Sequence, residues 1–293
     1  SQKMLRKTYY SGLELIEPNE DNRPLLVGER TNEVGSRKFK RLIQEEKYEE
    51  ASEIARRQVK NGAQIVDVNL ENPDRDEGTD IDAFYAELVR KAIKTPFMID
   101  TTNPSSAEKA LTYCQGKSII NSINFEDGED KFDQIVPLLK KYGGAVVIGS
   151  IDEDREQAQA VTRDRKLQIA QRAHQLCTEK WQLAEENLIF DPLVFPCATG
   201  DENYIGSSVE TVEAISLIKK TLPKTKTLLG VSNVSFGLPP SAREVVNAVF
   251  LYQAVKAGLD LAIVNTEKIR RYASIPDNER KLAEDLLGNY PPE

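Results

Sequence analysis

The sequence is poor in the residues that most often build metal sites and disulfide frameworks. Its 293 residues include a single histidine, His174, and three scattered cysteines, Cys114, Cys177 and Cys197. An odd number of cysteines offers no disulfide framework and fits a reducing compartment, so we expect a cytoplasmic protein. No group of His and Cys has metal-ligand spacing, which argues against a metal site and against histidine-based catalysis. His174 lies within a helical pattern and is expected to be a packing or surface residue.

Long hydrophobic runs and an excess of positive charge are lacking as well. No run reaches the roughly 18 apolar residues of a transmembrane helix, and the basic segment 1–10 has no apolar core of the kind found in signal peptides. The net charge is −8. An acidic balance argues against extended binding to nucleic acid or to an anionic membrane. The composition leaves the oligomeric state open.

Eight short apolar runs are present, and a longer helical pattern follows most of them. The runs cover residues 25–29, 64–69, 96–100, 118–122, 145–149, 188–191, 227–233 and 261–265. Strands that are apolar on both faces and alternate with helices are typical of parallel sheets. Eight such units in a chain of this length predict an α/β fold of the (β/α)₈ TIM-barrel type. We therefore predict an N-terminal extension at 1–24, the barrel at 25–268 and a closing helix or tether at 269–293.

The helical patterns between the runs support this prediction. Helices are predicted at 48–61, 80–94, 163–181, 209–222 and 243–258. In the first of them Ala51, Ile54, Ala55 and Val59 share one face, and Gly62 follows where a helix often ends. Each helix thus has an apolar face to pack against a barrel.

Polar side chains stand at the ends of the apolar runs. In a parallel barrel the active site lies at the carboxyl ends of the strands. The residues concerned are Glu29, Asp67, Asn69, Asp100, Asn121, Asp191, Asn233 and Asn265. In six of the eight runs the last or next-to-last residue is Asp or Asn, which favours one shared site. The alternative for each residue is a cap on the following helix, and Asp100 and Asp191 are both followed by loop-forming residues.

Carboxylates and amides without a histidine suit a flat heterocycle that carries donors and acceptors on one edge. A carboxylate can accept two parallel hydrogen bonds from an amino-pyrimidinone edge. An asparagine can serve both a ring carbonyl and a ring N–H. A pterin presents such an edge, so we expect a pterin-like ligand.

Several long motifs resemble the folate-binding module of cobalamin-dependent methionine synthase. They are GERTN at 28–32, the segment 35–43, NGAQIVDVN at 61–69, MID at 98–100, QGKSIINSI at 115–123, FDP at 190–192, GVSNVSF at 230–236, AVF at 248–250 and IVN at 263–265. The likeness runs from about residue 10 to 293. The chain is also similar to the wider methyltetrahydrofolate:corrinoid methyltransferase family, and in fold to dihydropteroate synthase.

The resemblance implies roles for particular residues. The family's residues that hold the pterin edge fall on Asp100, Asn121 and Asp191. The catalytic asparagine that reaches N5 of the pterin falls on Asn233. The remaining pterin-binding positions implied by the family and by the strand ends are Asp67, Asn69, Asn265 and, as a basic residue of the loop after the seventh strand, Arg243. The loops at 70–80 and 152–162 depart from the family pattern.

The resemblance also implies an activity. The chain would bind 5-methyltetrahydrofolate and transfer its N5-methyl group to cob(I)alamin, which another domain or a separate corrinoid protein would carry. The cobalamin-binding signature Asp-x-His-x-x-Gly does not occur in the sequence, so we expect either an excised module, slightly favoured by the start at Ser1, or a stand-alone methyltransferase. The alternatives are a non-catalytic module that presents folate, and a dihydropteroate synthase-like enzyme; no lysine ends the seventh or eighth run to suit the latter.

Overall fold

The computed structural model describes residues 8–288, and its central element is a closed barrel of eight parallel strands. The strands are β1 (Leu25–Asn32), β2 (Ile65–Asn69), β3 (Phe97–Asp100), β4 (Ile119–Ile123), β5 (Ala145–Gly149), β6 (Leu188–Asp191), β7 (Lys226–Gly230) and β8 (Leu261–Val264). Each strand pairs with the next along the chain, and β8 pairs with β1. The predicted (β/α)₈ barrel is confirmed.

Helices surround the barrel. They are α1 (Arg37–Gln44), α2 (Tyr48–Lys60), α3 (Glu77–Arg90), α4 (Pro104–Leu111), α5 (Asp130–Tyr142), α6 (Arg163–Gln175), α7 (Ser207–Thr221), α8 (Pro240–Ala257) and α9 (Asp277–Leu287). One helix follows each strand, and α1 is an additional helix between β1 and α2. Ala283 and Leu287 of α9 are buried in the same apolar cluster as α8. None of the helices in residues 8–288 has the length and hydropathy of a membrane-spanning segment.

Alternate strand residues point into the barrel. The interior cluster contains Leu25, Val27, Ile65, Met98, Ile119, Ala145, Val147, Ile189, Leu228 and Leu261, all at most 1% exposed. Since side chains alternate between the two faces of a strand, the residue two positions further along points inward as well. The next layer of inward-facing side chains therefore packs directly on the interior cluster. We call the end of the barrel at which the strands finish the mouth.

A short hairpin closes the opposite end. Its strands are Tyr10–Ser11 and Leu15–Ile16, and Tyr10 is fully buried within the interior cluster. The backbone N–H of Ser11 donates to the carbonyl of Lys117 at 3.0 Å, which ties the hairpin to the start of β4. This hairpin falls in the predicted extension 1–24, of which residues 1–7 lie outside the described part, as do residues 289–293 of the predicted tail.

Three boundaries differ from the sequence-based expectation. The seventh strand ends at Gly230, and Val231–Ser235 form a 3₁₀ turn, so that Asn233 stands on a turn beyond the strand. The helix expected at 163–181 ends at Gln175 and continues as a π-helical turn. The helix predicted at 243–258 starts earlier, at Pro240, so Arg243 lies inside α8 and not in the loop position that the family resemblance implied. Periodicity extended the seventh strand too far because Val231 and Val234 continue the buried pattern after the hydrogen-bonded strand has stopped.

Candidate functional site

The mouth is lined by the inward-facing residues that follow the interior cluster. Asp67 and Asn69 come two and four positions after Ile65, and Asp100, Asn121 and Asp191 each come two positions after an interior residue. Asp100 and Asn121 are direct partners across the β3–β4 pair. The four residues Asp67, Asp100, Asn121 and Asp191 thus belong to one layer of the barrel, which is the arrangement that the sequence pattern predicted.

Asp67 and Asp100 form a hydrogen-bonded carboxyl pair. Burial raises the pKa of Asp67 well above its usual range, and the neighbouring Asp100 raises it further. Burial also raises the pKa of Asp100, to about 6, although the hydrogen bond from Asp67 lowers it. Asp67 therefore holds the proton and Asp100 carries the charge. The side-chain amide of Asn121 donates to Oδ2 of Asp67 at 3.4 Å, and Asn69 contacts Asp100.

The loop after β2 supports this pair. Oδ1 of Asn69, which is 8% exposed, accepts from the backbone N–H of Glu71 at 2.9 Å. The carboxylate of Glu71 accepts from the Thr101 hydroxyl at 3.0 Å and from the backbone N–H of Thr102. The loop at 70–80, whose contacts the sequence left open, thereby fixes the segment that follows Asp100.

Asp191 is held in a tight turn at the end of β6. Its Oδ1 accepts from the backbone N–H of Leu193 at 2.9 Å. Leu193 has a φ of 69°, in the left-handed region that favours glycine. Burial raises the pKa of Asp191 to about 6, while the ammonium of Lys166 lowers it. Asp191 thus lines the mouth and also caps its own loop. The two alternatives considered for this position, a site residue and a cap, are compatible.

Asn233 stands on an exposed turn that its neighbours hold in place. The guanidinium of Arg243 donates to the carbonyl of Ser232 at 2.8 Å and to the hydroxyl of Ser235 at 3.0 Å. The hydroxyl of Ser232 in turn donates to Glu29 at 3.1 Å, and burial raises the pKa of that carboxyl. Asn233 itself is solvent-exposed at the mouth. The contacts of Arg243 orient this turn, and its binding of ligand stays a prediction.

Asn265 lies one residue beyond β8. Its Oδ1 accepts from the backbone N–H of Glu267 at 3.2 Å, and the residue is half-buried. Its side chain therefore caps a turn at the mouth. A role in ligand binding for Asn265 stays a prediction.

Two glycines leave part of the mouth layer without side chains. Gly149 ends β5 opposite Asp191, and Gly230 ends β7. A Cβ built on Gly149 would lie 3.8 Å from Ile151 and 3.9 Å from Leu193, and one on Gly230 would approach only the Asn233 amide, at 3.6 Å. An added methyl group would therefore make only ordinary van der Waals contact at both positions, so no neighbouring side chain crowds the backbone there.

Sequence reasoning missed several residues that shape the site. Asn32, at the end of β1, hydrogen-bonds Asp67. Lys166 on α6 is fully buried beneath Asp191. A signal for Lys166 was present, because it shares the buried face of α6 with Ile169 and Ala170, where a lysine is unusual. Among residues 8–288 no group of three or more His, Cys, Asp or Glu side chains is arranged to hold a metal ion.

The site combines ionised carboxyls, a proton-holding carboxyl and two amides at one end of the barrel. Asp100 and Asp191 can each accept from N–H groups on the edge of a heterocycle. Asn121 and Asn233 can donate or accept. A closed α/β barrel with this inward-facing layer defines the class of barrels that bind a flat, donor-rich ring at the carboxyl ends of their strands.

Comparison with known proteins agrees with that class. The pterin binding enzyme family matches residues 28–265, and the chain belongs to this family. It is 38% identical to methionine synthase of Mycobacterium tuberculosis over 271 residues, which make up 92% of this chain and 22% of that protein. It is also 38% identical to methionine synthase of Mycobacterium leprae over 266 residues, or 90% of this chain and 22% of that protein. The chain spans about a fifth of the length of these relatives.

Solved structures show the same fold at low identity. Dihydropteroate synthase from Thermus thermophilus superposes with a TM-score of 0.60 at 18% identity and covers 96% of this chain and 97% of its own. The Xanthomonas albilineans dihydropteroate synthase solved with 7,8-dihydropteroate gives a TM-score of 0.59 at 16% identity, covering 93% and 95%. These likenesses concern the fold.

Proposed function

We propose that this protein binds 5-methyltetrahydrofolate and transfers the N5-methyl group to cob(I)alamin carried by a partner domain or protein. The observation that carries the proposal is the single inward-facing layer of Asp67, Asp100, Asn121 and Asp191, which lies at the same end of the barrel as the exposed Asn233 turn. The 38% identity to methionine synthase supports the choice of folate as the pterin.

The carboxylates would hold the amino-pyrimidinone edge of the folate. Asp100 and Asp191 are ionised at neutral pH, since burial raises the pKa of each only to about 6. Each can therefore accept from the 2-amino group or the ring N–H, as a carboxylate accepts from a guanidinium. The ring would lie over Gly149 and Gly230, which have no side chains of their own, and N5 would face the Asn233 turn.

Transfer of the methyl group requires that N5 become a better leaving group. The N5–CH₃ bond breaks with its electron pair staying on nitrogen, a proton ends on N5, and the methyl group goes to the acceptor. Cob(I)alamin supplies the strongly nucleophilic electron pair that forms the new bond to carbon. Asn233 can donate to neutral N5 or accept from protonated N5, so one rotation of its amide serves both forms. The carboxyl pair Asp67–Asp100 adds one net negative charge that favours protonated N5.

An arc of exposed apolar side chains supports a large partner at the mouth. Val34, Ile205, Phe236 and Ile269 are at least 38% exposed and stand on the loops after β1, β6, β7 and β8, which are consecutive in the barrel. Phe236 follows the Asn233 turn directly. Exposed apolar patches commonly mark interaction surfaces. We propose that the corrinoid-carrying partner covers this arc while it receives the methyl group.

The test is a single-turnover reaction with free cob(I)alamin. The protein is mixed with 5-methyltetrahydrofolate and chemically reduced cobalamin, and the formation of methylcobalamin is followed by its visible spectrum. Transfer faster than in a protein-free control supports the proposal. Folate binding without transfer identifies a module that only presents folate. Condensation of a pterin pyrophosphate with 4-aminobenzoate instead of methyl transfer identifies a dihydropteroate synthase-like enzyme.

A further inference from the structure

The turn that carries Asp191 is fixed by three side chains from three different elements. The carbonyl of Asp191 accepts from the backbone N–H and the hydroxyl of Ser150, both at 3.0 Å. The carbonyl of Pro192 accepts from the ammonium of Lys166. The carbonyl of Leu193 accepts from the hydroxyl of Thr211 at 2.7 Å. Three consecutive carbonyls are thus satisfied, which holds Leu193 at its positive φ.

Of these three donors only Lys166 carries a charge. It is fully buried and lies within α6, beneath the mouth. Burial lowers the pKa of its ammonium to about 7, and the carboxylates of Asp191 and Glu210 oppose that effect. The ring of Phe195 lies 5.2 Å from its Nζ. A neutral donor such as a hydroxyl would serve the Pro192 carbonyl without the cost of burying a cation, so the hydrogen bond alone does not account for a lysine at this position.

The charges around Lys166 are few. The carboxylates of Asp191 on β6 and Glu210 on α7 act on its ammonium electrostatically, and neither lies within ion-pair distance of it. Glu210 also accepts from Nε of Arg163, on the helix of Lys166 itself, at 2.6 Å. Because Glu210 is engaged by Arg163, Asp191 is the carboxylate most dependent on the lysine.

We propose that Lys166 is a positioning residue of the pterin site, which fixes the Asp191–Leu193 turn and keeps Asp191 ionised, and so sets the pH range over which the folate binds. This inference rests on the proposed function, because it assigns Asp191 to the pterin edge. Lys166 does not touch the ligand and acts through Asp191.

The first experiment measures folate affinity as a function of pH. The variants are Lys166→Met, which removes both the charge and the donor, and Lys166→Gln, which keeps a donor for Pro192. Loss of a cation beside a carboxyl raises the pKa of that carboxyl by about one unit or more. The pH at which 5-methyltetrahydrofolate affinity falls by half should therefore move up by about one unit in both variants. A uniform loss of affinity at every pH, with an unchanged midpoint, would mean that Lys166 is only structural and would overturn the proposal.

Lys219→Met is the matched control. Lys219 on α7 also loses an ion pair on substitution, with Asp260 at 2.8 Å, but Asp260 precedes β8 at the closed end of the barrel. This variant should be less stable and should keep the binding midpoint of the wild-type protein. A midpoint that moves equally in Lys219→Met would show a general effect of stability and would count against Lys166.

The second experiment needs no ligand. The carboxyl of Asp191 is titrated by NMR in protein labelled with ¹³C at aspartate carboxyls, with its signal assigned from Asp191→Asn. The Asp191 midpoint should be higher in Lys166→Gln than in the wild-type protein, and an unchanged midpoint would overturn the inference. If the wild-type protein binds no folate, the proposed function fails, whereas the titration still decides whether Lys166 controls the charge of Asp191.

Discussion

Asp67 donates a hydrogen bond to Asp100 across the β2–β3 pair, so that one of two neighbouring carboxyls is protonated and the other is charged. The hydrogen bond raises the pKa of Asp67 and lowers that of Asp100. Two buried carboxylates so close together cannot both ionise without a large cost. The two residues look equivalent in sequence, but the fold gives them different protonation states and therefore different tasks.

This difference predicts an asymmetric pair of variants. Asp67→Asn keeps a donor toward Asp100 and should bind 5-methyltetrahydrofolate at neutral pH with close to wild-type affinity. Asp100→Asn removes the charged acceptor and should weaken binding by about 1 to 3 kcal/mol. Isothermal titration calorimetry measures both. Equal losses in the two variants, or no loss in Asp100→Asn, would contradict the assignment of the proton.

Folate affinity should fall as the solution becomes acidic. Burial raises the pKa of Asp191 to about 6, so protonation below that pH removes an acceptor for the pterin edge. Asp191→Asn should bind about 1 to 3 kcal/mol more weakly at pH 8, and its affinity should vary less than that of the wild-type protein between pH 5 and pH 8. Protonation of the folate itself changes the affinity of both proteins equally. The difference between the wild-type protein and Asp191→Asn therefore reports on Asp191 alone. A wild-type affinity that is flat across this range would contradict the prediction.

Asn233→Ala should slow methyl transfer while the folate still binds. Removal of one oriented polar group at the reacting centre typically costs on the order of 10²-fold in rate. Single-turnover kinetics with cob(I)alamin measure the rate, and calorimetry measures binding. Asn22→Ala, in the segment that enters β1 at the opposite end of the barrel, is the control; its side-chain amide donates to the carbonyl of Glu17 at 2.8 Å. An unchanged transfer rate in Asn233→Ala would refute its catalytic role.

A side chain at Gly149 should occupy the position proposed for the ring. The nearest atoms to a Cβ at this position are 3.8 to 4.0 Å away, so the protein itself has room for it. Gly149→Ala should weaken folate binding while it unfolds at a temperature close to that of the wild-type protein, and Gly149→Val should weaken binding further. Full binding by Gly149→Val would place the ring elsewhere.

The buried lysine should give the protein an unusual dependence of stability on pH. Burial lowers the pKa of Lys166 to about 7 in the folded protein, whereas an unfolded lysine titrates near ~10.4. Between these values the unfolded chain binds more protons, so the free energy of unfolding rises with pH by up to about 1.4 kcal/mol per unit. Denaturant unfolding should show this rise in the wild-type protein relative to Lys166→Met between pH 7 and pH 10. Parallel curves for the two proteins would contradict it.

The sequence was sufficient for the barrel and for most of the mouth. Each strand carries its own apolar run, most runs have an Asp or Asn at or next to their end, and the two-residue alternation brings Asp67, Asp100, Asn121 and Asp191 to one layer. These features depend on local order along the chain, which a single sequence displays.

What the sequence did not reveal depends on contacts between distant segments. The turn of Asn233 is held by Arg243 from α8 and, through Ser232, by Glu29 from β1. The position of Lys166 beneath Asp191 arises from the packing of α6 against the β6 loop. Neither contact produces a periodic pattern in the sequence. The predicted seventh strand therefore ran past Gly230, and Lys166 was not predicted as part of the site.

The hairpin that inserts Tyr10 beneath the interior cluster has a consequence for turnover. Within the described residues 8–288, Tyr10 fills the barrel axis at that end, so under the proposed function the folate and the corrinoid partner both approach from the mouth. Substrate therefore has to arrive before the partner docks, and demethylated product has to wait until the partner withdraws. The buried Tyr10 hairpin, which is distant from the reacting atoms, thus makes folate exchange and partner docking successive steps.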